Sequence, residues 1–416
     1  MPIAPRESTE RVLSGRLVVD FTQAIAGPFA TRILGELGAR IVKVESFKGD
    51  FVRGTQRRPD SLWGPMFGHG SGGKESLCVD WNKPEGRRIV DRLLDQADII
   101  VENSRPGTME RAGFDPNELI KRPKRPVVCS ISGFGRGTPY SSWSATDPIG
   151  QAVSGMTYMV GERDRKPFLA ANGIADSSTA MAAVVGILAA LIGREKDGQG
   201  RYLDLSMAET MLAMDCVNNP VAAAYPDADF APMGYDHPAV CPFGLFAAHD
   251  GLVVIQAMGS GADSGWGRLC GVLGRPDFIT DDRTATDATR LLNRELVNSQ
   301  IEAWVGKLTR DEAIARLQDA GVIIGPVLSP REAVDHPIFA ARRSVRHVPA
   351  ESSKNAPGQT MVALPYASAG LTGEPRRPPR LGEHTRQILK DLIGIDDNMI
   401  DQLHAQDVVR TSDRWS

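Results

Sequence analysis

One acidic residue, Asp176, stands where a long apolar segment of the chain begins. No charged residue occurs from Ser177 to Ile192, so this segment predicts a helix that is buried on most of its sides. Asp176, together with Ser177 and Ser178, would offer side-chain oxygens to the unpaired N–H groups of the first turn. That position predicts a carboxylate that stays ionised at neutral pH, and Asp176 is therefore a candidate nucleophile. An aspartate at a helix start is most often only a cap, so its surroundings have to decide.

The residues that follow the apolar segment give Asp176 a specific setting. Gly198 and Gly200 end the predicted helix, residues 201–206 alternate as a strand does, and residues 207–214 return to a helical pattern. This helix–strand–helix unit resembles the central signature of the class III CoA-transferases of the CaiB/BaiF type. That family includes formyl-CoA:oxalate and carnitine CoA-transferases and the α-methylacyl-CoA racemases. In its transferases the acid at the position of Asp176 carries CoA covalently.

Other segments resemble the same family in the expected order along nearly the whole chain. These segments are residues 20–31, 37–45, 49–53, 74–80, 97–103, 105–107, 110–113, 130–135, 319–322, 325–327 and 381–385. A single Gly-rich piece would be weak evidence, whereas so many in one order make accidental similarity implausible.

The first half of the chain alternates apolar strand segments with helical ones. Strands are predicted at 17–21, 41–44, 99–101 and 127–131, and a helix at 28–37. Such alternation predicts the α/β class, with a parallel sheet covered by helices. The resemblance adds that the large domain is Rossmann-like, that a smaller α/β domain accompanies it, and that two chains form an interlocked homodimer.

We expect three segments in the domain organisation. A connection is predicted at 219–238, strands at 243–246 and 252–257, helices at 264–273, 287–305 and 310–320, an irregular return path at 342–380 and a helix at 383–393. Residues 1–222 would then form the first part of the large domain and 223–335 the small domain. Residues 336–416 would return to complete the large domain.

Composition excludes several classes of function. A net charge of −3 over 416 residues gives no general basic surface for nucleic acid. The five cysteines are scattered without a C-x-x-C pair, so neither a disulfide framework nor a zinc site is predicted. The N-terminus is charged where a signal peptide is apolar, and the apolar run 180–192 is too short to span a bilayer. We therefore expect a cytoplasmic protein without membrane partners.

The resemblance implies a chemistry for Asp176. Its carboxylate would attack a donor acyl-CoA to give an aspartyl mixed anhydride, and the released thiolate would convert the anhydride to an aspartyl-CoA thioester. CoA would then pass to a carboxylic acid acceptor, with no metal involved. Exposed backbone amides at the helix start are expected to lie near the reacting carbonyl.

The resemblance also assigns contacts with CoA. Asn103 and Arg111 occupy positions that line its site, and Ala24 and Val79 match positions that contact its adenine or pantetheine portions. The guanidinium of Arg111 suits phosphate oxygens. Lys43 and Glu45, two apart on a predicted strand, are family-like but are also explained as a solvated or structural pair.

Several positions depart from the formyl-CoA transferases. Ile25 replaces a glutamine, Ser104 replaces an aromatic residue, and Ser46 replaces an arginine. We count Ile25 and Ser104 among the candidate CoA contacts, and these departures predict an acceptor larger or less charged than oxalate. The glycine run over the active site of those enzymes corresponds to 233–239, where only Gly234 remains. This predicts that their mobile lid is shorter or absent here.

Two alternatives stay open. A racemase of the family uses a histidine beside an acid, but Thr146 stands at the histidine position, and segment 255–259 lacks the later glutamate. A threonine hydroxyl is far too weak a base at neutral pH. The second alternative is a CoA-binding homologue that has kept the fold without turnover, against which the retention of Asp176 counts.

Overall fold

A computed structural model describes residues 11–57, 63–232, 234–348, 359–365 and 372–411 of the protein. The N-terminal residues on which the signal-peptide prediction depends lie outside these ranges. So do Met233 of the expected lid segment and part of the predicted return path 342–380.

The described chain alternates strands and helices. The strands are β1 (Leu17–Asp20), β2 (Arg40–Glu45), β3 (Glu75–Val79), β4 (Ile99–Glu102), β5 (Val127–Ser132), β6 (Arg201–Ser206), β7 (Phe243–Ala248), β8 (Gly251–Gln256), β9 (Ile323–Pro326), β10 (Val345–Val348), β11 (Gln359–Val362) and β12 (Val409–Arg410). The helices are α1 (Ala26–Glu36), α2 (Pro65–Ser71), α3 (Pro84–Leu94), α4 (Thr108–Arg111), α5 (Pro116–Leu119), α6 (Asp147–Val153), α7 (Ile174–Asp197), α8 (Met207–Met214), α9 (Asn218–Ala224), α10 (Gly265–Leu273), α11 (Asp287–Leu292), α12 (Arg294–Val305), α13 (Arg310–Asp319), α14 (Pro330–Asp335), α15 (Pro337–Ala341), α16 (Thr385–Ile388) and α17 (Asp397–Ala405). Short 3₁₀ turns at Phe51–Gly54, Thr157–Met159 and Pro276–Ile279 and a π turn at Leu389–Ile393 complete the described elements.

Seven strands form one sheet in the order β12-β3-β2-β1-β4-β5-β6. Every pairing is parallel except that of β12 with β3. The strand order reverses beside β1, whose two neighbours are β2 and β4, and a crevice opens outside the carboxyl ends of the strands at such a point. The predicted α/β class with a mainly parallel sheet is confirmed.

Both faces of this sheet are covered, because its strands are apolar on both sides. One face packs against α3 and the α16–α17 region, with Val19, Val42 and Leu93 in that core. The other face packs against α1 and α7 through residues such as Ile33 and Ile187. The sheet is therefore a rigid platform from which the loops at its carboxyl edge project.

Helix α7 is longer than the apolar run seen in the sequence. It has 24 residues, and by length and composition alone it could cross a membrane. A core helix of a soluble protein passes the same test. Ala180, Ala183 and Ile187 of α7 are buried in the core shared with α1, whereas Val185 and Ile192 are exposed.

The described chain separates into two units. Unit 1 comprises Met1–Met156, Ala170–Pro226 and Pro337–Ser416, and unit 2 comprises Thr157–Leu169 and Asp227–His336. Unit 2 contains the antiparallel sheet β7-β8-β9, which packs with α10, α12 and α13 around Trp266 and Phe246. The domain boundaries at 222 and 335 stay a prediction.

Candidate active site

A cavity of about 650 Å³ opens at the carboxyl edge of the large sheet. Three strand ends contribute to its wall: Phe21 follows β1, Asn103 follows β4, and Gly133 follows β5. Asp147 at the start of α6 and Asp176 in the first turn of α7 complete the wall. All these residues belong to unit 1, and the cavity lies where α/β folds of this strand order bind ligands.

Asp176 is not the cap of its helix, contrary to the sequence-based expectation. Helix α7 begins at Ile174, and its N-cap is Gly173, whose φ of 93° places it in the left-handed region that favours glycine. Asp176 is therefore the third residue of the helix, and its side chain lines the cavity. Within the described chain, no hydrogen bond to the Asp176 carboxylate is present.

The side chain of Asp147 caps α7 instead. Its Oδ1 accepts hydrogen bonds from the backbone N–H of Ala175 at 2.6 Å and of Asp176 at 3.1 Å. The N–H of Ser177 donates to the carbonyl oxygen of Gly173 at 2.9 Å. The N–H groups of Ala175, Asp176 and Ser177 are therefore already engaged, contrary to the expectation that the amides at this helix start are exposed.

The pKa of Asp176 moves upward rather than downward. Burial, followed by the negative charge of Asp147, raises it to about 6. A pKa about one unit below pH 7 still leaves most molecules charged at that pH. The carboxylate is thus ionised, as predicted, but it is more basic than an ordinary aspartate.

The loop after β1 is held in an unusual conformation beside the cavity. Ala24 has a φ of 67°, which is uncommon for a residue with a Cβ. Gln23, the residue before Ala24, is held by two hydrogen bonds with the side chain of Asn103. Asn103 Oδ1 accepts from the N–H of Gln23 at 2.8 Å, and Asn103 Nδ2 donates to the carbonyl oxygen of Gln23 at 2.7 Å. Asp50 Oδ1 accepts from the N–H of Ala24 at 3.3 Å. These bonds offset the backbone strain at Ala24.

Behind this loop lies a cluster of buried charges that sequence analysis did not identify. Lys74 Nζ donates to Asp20 Oδ2 at 2.8 Å, Lys43 Nζ lies 3.1 Å from Asp50 Oδ2, and both pairs are almost wholly excluded from solvent. Lys43 also donates to the carbonyl oxygen of Thr22. Burial alone would raise the pKa of Asp20, but Lys74 and Lys43 together lower it to about 2. The available signal was an acid at the end of the apolar strand β1.

Lys43 and Glu45 are structural rather than solvated. Both side chains are buried, and Glu45 Oε2 lies 2.6 Å from Arg53 Nη2. Their burial fits the structural one of the two explanations that the sequence allowed.

The structure brings most of the other candidate residues to the cavity. Ala24, Ile25, Asn103 and Ser104 line it with Asp176. Val79, the last residue of β3, does not line the cavity, because its side chain is fully buried in the core on one face of the sheet. Arg111 also lies outside the cavity wall, where its exposed Nη2 donates to Thr108 Oγ1 at 3.2 Å. The roles of all these residues in binding CoA stay predictions.

The cavity has a narrow set of ionisable groups. Among the described residues that line it, only Asp147 and Asp176 have ionisable side chains. Thr146, at the position of a racemase histidine, is exposed on its wall. In the described ranges no group of three or more His, Cys, Asp or Glu side chains could hold a metal ion.

Comparison with known proteins agrees with this architecture. A sequence model of CoA-transferase family III matches residues 13–385. An acyl-CoA transferase of Fusarium pseudograminearum is 34% identical over 94% of this chain and 86% of its own length. Succinyl-CoA–D-citramalate CoA-transferase of Chloroflexus aurantiacus is 31% identical over 96% of this chain and 98% of its own. A CaiB/BaiF family protein from Brucella suis superposes with a TM-score of 0.81 and 29% identity, covering 92% of this chain and 99% of the other.

The chain belongs to CoA-transferase family III. It is an enzyme of the CoA-transferase class, and CoA thioesters are the substrates of that class.

Proposed function

We propose that this enzyme moves CoA from a donor acyl-CoA to a carboxylic acid through covalent intermediates on Asp176. The observation that carries the proposal is the Asp176 carboxylate, which lines a cavity at the carboxyl edge of the sheet without a hydrogen-bond donor among the described residues. A carboxylate without such donors has its lone pairs free for attack, and its raised pKa makes it a stronger nucleophile.

The proposed reaction exchanges bonds without oxidation or reduction. An Asp176 oxygen attacks the thioester carbonyl, the C–S bond breaks, and a mixed anhydride and CoA thiolate result. The thiolate attacks the Asp176 carbonyl of the anhydride and releases the donor acid, which leaves an aspartyl-CoA thioester. The acceptor carboxylate attacks the carbonyl of this thioester, the C–S bond breaks, and a second anhydride and CoA thiolate result. The thiolate then attacks the acceptor carbonyl and displaces the Asp176 carboxylate. Acceptor acyl-CoA leaves, and the Asp176 carboxylate is restored.

None of these steps needs a net proton transfer, because every nucleophile and every leaving group is an anion. A site for this reaction therefore needs no general base. The described cavity wall, which contains no histidine, lysine or cysteine, fits that requirement. An α-proton exchange would require a base, and Thr146 cannot supply one.

The amino end of α1 is our candidate for stabilising the oxyanions. Ile25 and Ala26 line the cavity at the start of this helix, and Ile25 provides no side-chain hydrogen bond as its cap. N–H groups at an uncapped helix start attract negative charge. We propose the start of α1 for this role in place of the start of α7, because Asp147 already accepts hydrogen bonds from the N–H groups of Ala175 and Asp176 there.

We further propose that Ala24, Ile25, Asn103 and Ser104 contact the CoA moiety, since they line the cavity that contains Asp176. Arg111 is proposed to bind a CoA phosphate from its exposed position on α4. A contact between Val79 and CoA is supported only by the family resemblance, since its side chain is fully buried.

The acceptor is proposed to be a carboxylic acid larger than oxalate. Apolar side chains including Ile25, Phe51 and Met66 line the cavity and favour an aliphatic body. The citramalate enzyme of Chloroflexus, which is similar to this chain, is named for a branched acid of that kind.

A homodimer in the cytoplasm is the proposed assembly and location. Val185 and Ile192 on α7 and Leu212 and Met214 on α8 are large apolar side chains exposed in the single chain. A second copy that covered them would remove this apolar surface from water. Light scattering of the purified protein tests this proposal, and a monomer at micromolar concentration would contradict it.

The function is tested by following CoA exchange from succinyl-CoA and acetyl-CoA to a panel of carboxylates. The Asp176→Asn variant is expected to lose at least about 10³-fold in turnover, because its amide is not a nucleophile. Asp197→Asn is the matched control, with the same substitution at the other, exposed end of α7, and it should retain full activity.

The outcome also separates the alternatives. Deuterium incorporation at the α-carbon without CoA exchange would support a racemase. Tight acyl-CoA binding without either reaction would support a non-catalytic homologue. Full activity in Asp176→Asn would contradict the proposed nucleophile.

A further inference from the structure

The carboxylate of Asp147 lies directly beside the proposed nucleophile, and the proposed reaction steps do not use it. Asp147 is buried at the start of α6. Its Oδ2 accepts a hydrogen bond from Gln151 Nε2 at 2.6 Å, and the same nitrogen also donates to the carbonyl of Ala171 at 3.2 Å. Asp147 is thus fixed between its own helix and the segment that leads into α7.

The other oxygen of Asp147 links α6 to the backbone of the nucleophile. Oδ1 accepts from Ala175 N and Asp176 N together. One carboxylate therefore determines where the first turn of α7 lies relative to α6. Displacing this carboxylate would displace the nucleophile with it.

Building on the function proposed above, we propose that Asp147 is a positioning residue with two effects. It fixes the backbone of Asp176, and its negative charge favours the acylated form of Asp176 over the free carboxylate.

The second effect follows from charge. Two neighbouring carboxylates in a partly buried site repel each other, which destabilises the free enzyme. When Asp176 becomes an anhydride or a thioester it loses its charge, and the repulsion with Asp147 ends. The covalent intermediates are therefore favoured relative to the free enzyme by the amount that the repulsion contributes.

Other charged groups near α7 do not line the cavity. Among the elements packed against this helix, α1 carries the buried Arg32–Glu36 pair, α8 carries Glu209, and β6 carries Arg201 and Asp204. None of these residues is part of the cavity wall. Asp147 is the charged neighbour that acts on Asp176, and its charge contributes to the raised pKa, after burial.

Two substitutions at Asp147 separate the two effects. Asp147→Asn keeps an oxygen that can accept from Ala175 and Asp176 but removes the charge. Asp147→Glu keeps the charge but moves the accepting oxygen by about one bond length. Asp115→Asn is the control, because Asp115 also caps a helix, α5, through the N–H of Asn117 but does not line the cavity.

The measurements are the pH profile of kcat/KM and the fraction of enzyme acylated at saturating acyl-CoA, with folding checked by circular dichroism. The wild-type rate should fall below pH about 6, where Asp176 becomes protonated. In Asp147→Asn this acid limb should move down by up to about one pH unit and the acylated fraction should fall severalfold. In Asp147→Glu the limb should stay in place while kcat falls about tenfold. Asp115→Asn should change neither.

A folded Asp147→Asn variant with a wild-type acid limb and acylated fraction would overturn this inference. If Asp147→Asn does not fold, an acid limb lowered in Asp147→Glu would overturn it, because that variant retains the charge. A wild-type enzyme that exchanges no CoA and is never acylated would instead contradict the proposed function itself.

Discussion

Two aspartates of unit 1 show how the same side chain can serve structure in one place and chemistry in another. Asp20, at the end of β1, is wholly buried and accepts from Lys74, Thr22 and Thr31. Asp176, in the first turn of α7, is partly buried and has a carboxylate, Asp147, as its charged neighbour. The pKa of Asp20 is lowered to about 2, whereas that of Asp176 is raised to about 6.

The two pKa values differ because different groups replace the water that each carboxylate loses on folding. Both lose hydration on folding, which alone disfavours their charge. At Asp20 a buried ammonium and hydroxyl donors replace that hydration, so the group is inert and braces the loop after β1. At Asp176 the described structure provides no such replacement, so the charge costs stability and is available for reaction. A nucleophile of this kind is maintained at the expense of the folded state.

The largest expected effect on stability comes from substituting Asp20, the structural one of the two aspartates. Asp20→Asn should lower the free energy of unfolding by about 3–5 kcal/mol at pH 7, because Lys74 would remain buried without its counter-charge. Urea unfolding followed by circular dichroism measures this change. A loss below about 1 kcal/mol would show that the buried pair is not a determinant of stability.

The same substitution at Asp176, the reactive aspartate, should change the free energy of unfolding in the opposite direction. Asp176→Asn should raise the free energy of unfolding at pH 7 by about 1–2 kcal/mol, after allowance for its partial exposure to solvent, because it removes an unfavourable charge. The same denaturation measurement applies, with Asp197→Asn as the control at the exposed end of α7. A destabilised Asp176→Asn protein would mean that the carboxylate has stabilising partners.

The two aspartates should also differ in the pH range over which they act. Folding lowers the pKa of Asp20 from 3.8 to about 2, so its stabilisation is present above pH 3.8 and is lost as the pH falls towards 2. Folding raises the pKa of Asp176 from 3.8 to about 6, so its cost is absent below pH 3.8 and complete above pH 6. The advantage of Asp176→Asn over wild type should therefore shrink between pH 6 and 4. Unfolding curves at several pH values measure this, and an advantage that is constant over that range would contradict the assignment.

The smallest expected effect concerns the loop that the buried charges support. Asn103→Ala removes both hydrogen bonds to Gln23 and should cost about 1 kcal/mol of stability. It should also raise the KM for acyl-CoA by up to about tenfold, because the loop lines the cavity. Asn117→Ala is the control, since this exposed side chain bonds only to Asp115 among the described residues. Equal KM values in the two variants would show that the loop does not position the substrate.

Much of the fold was predictable because local patterns determine it. Strands β1, β2, β4 and β5 are apolar runs between turn residues, and each was predicted within two residues of its observed ends. The paired strands β10 and β11 fall in a segment that was expected to be irregular, and β12 was not predicted. These strands are short, and their pairing partners lie far away or across a polar segment, so no local periodicity reveals them.

Of the candidate residues named from the sequence, Ala24, Ile25, Asn103, Ser104 and Asp176 line the cavity, whereas Val79 and Arg111 do not. The apolar run after Asp176 correctly indicated a helix that starts near an acid, but only part of that helix is buried, since Val185 and Ile192 are exposed. The cap of that helix comes from Asp147, on a different helix. The upward shift in the pKa of Asp176 comes first from its burial and then from the charge of Asp147. No sequence pattern near Asp176 indicates that tertiary folding places Asp147 beside it.

The most direct test of the account uses an acceptor acid whose carboxylate carries a heavy isotope of oxygen. If the acceptor passes through an anhydride, one of its labelled oxygens stays on the enzyme when the acceptor acyl-CoA leaves. Peptide mass spectrometry after turnover should then find the heavy isotope in the Asp176 side chain of the wild-type protein and not in that of Asp197. Sustained CoA exchange without label at Asp176 would contradict the covalent mechanism.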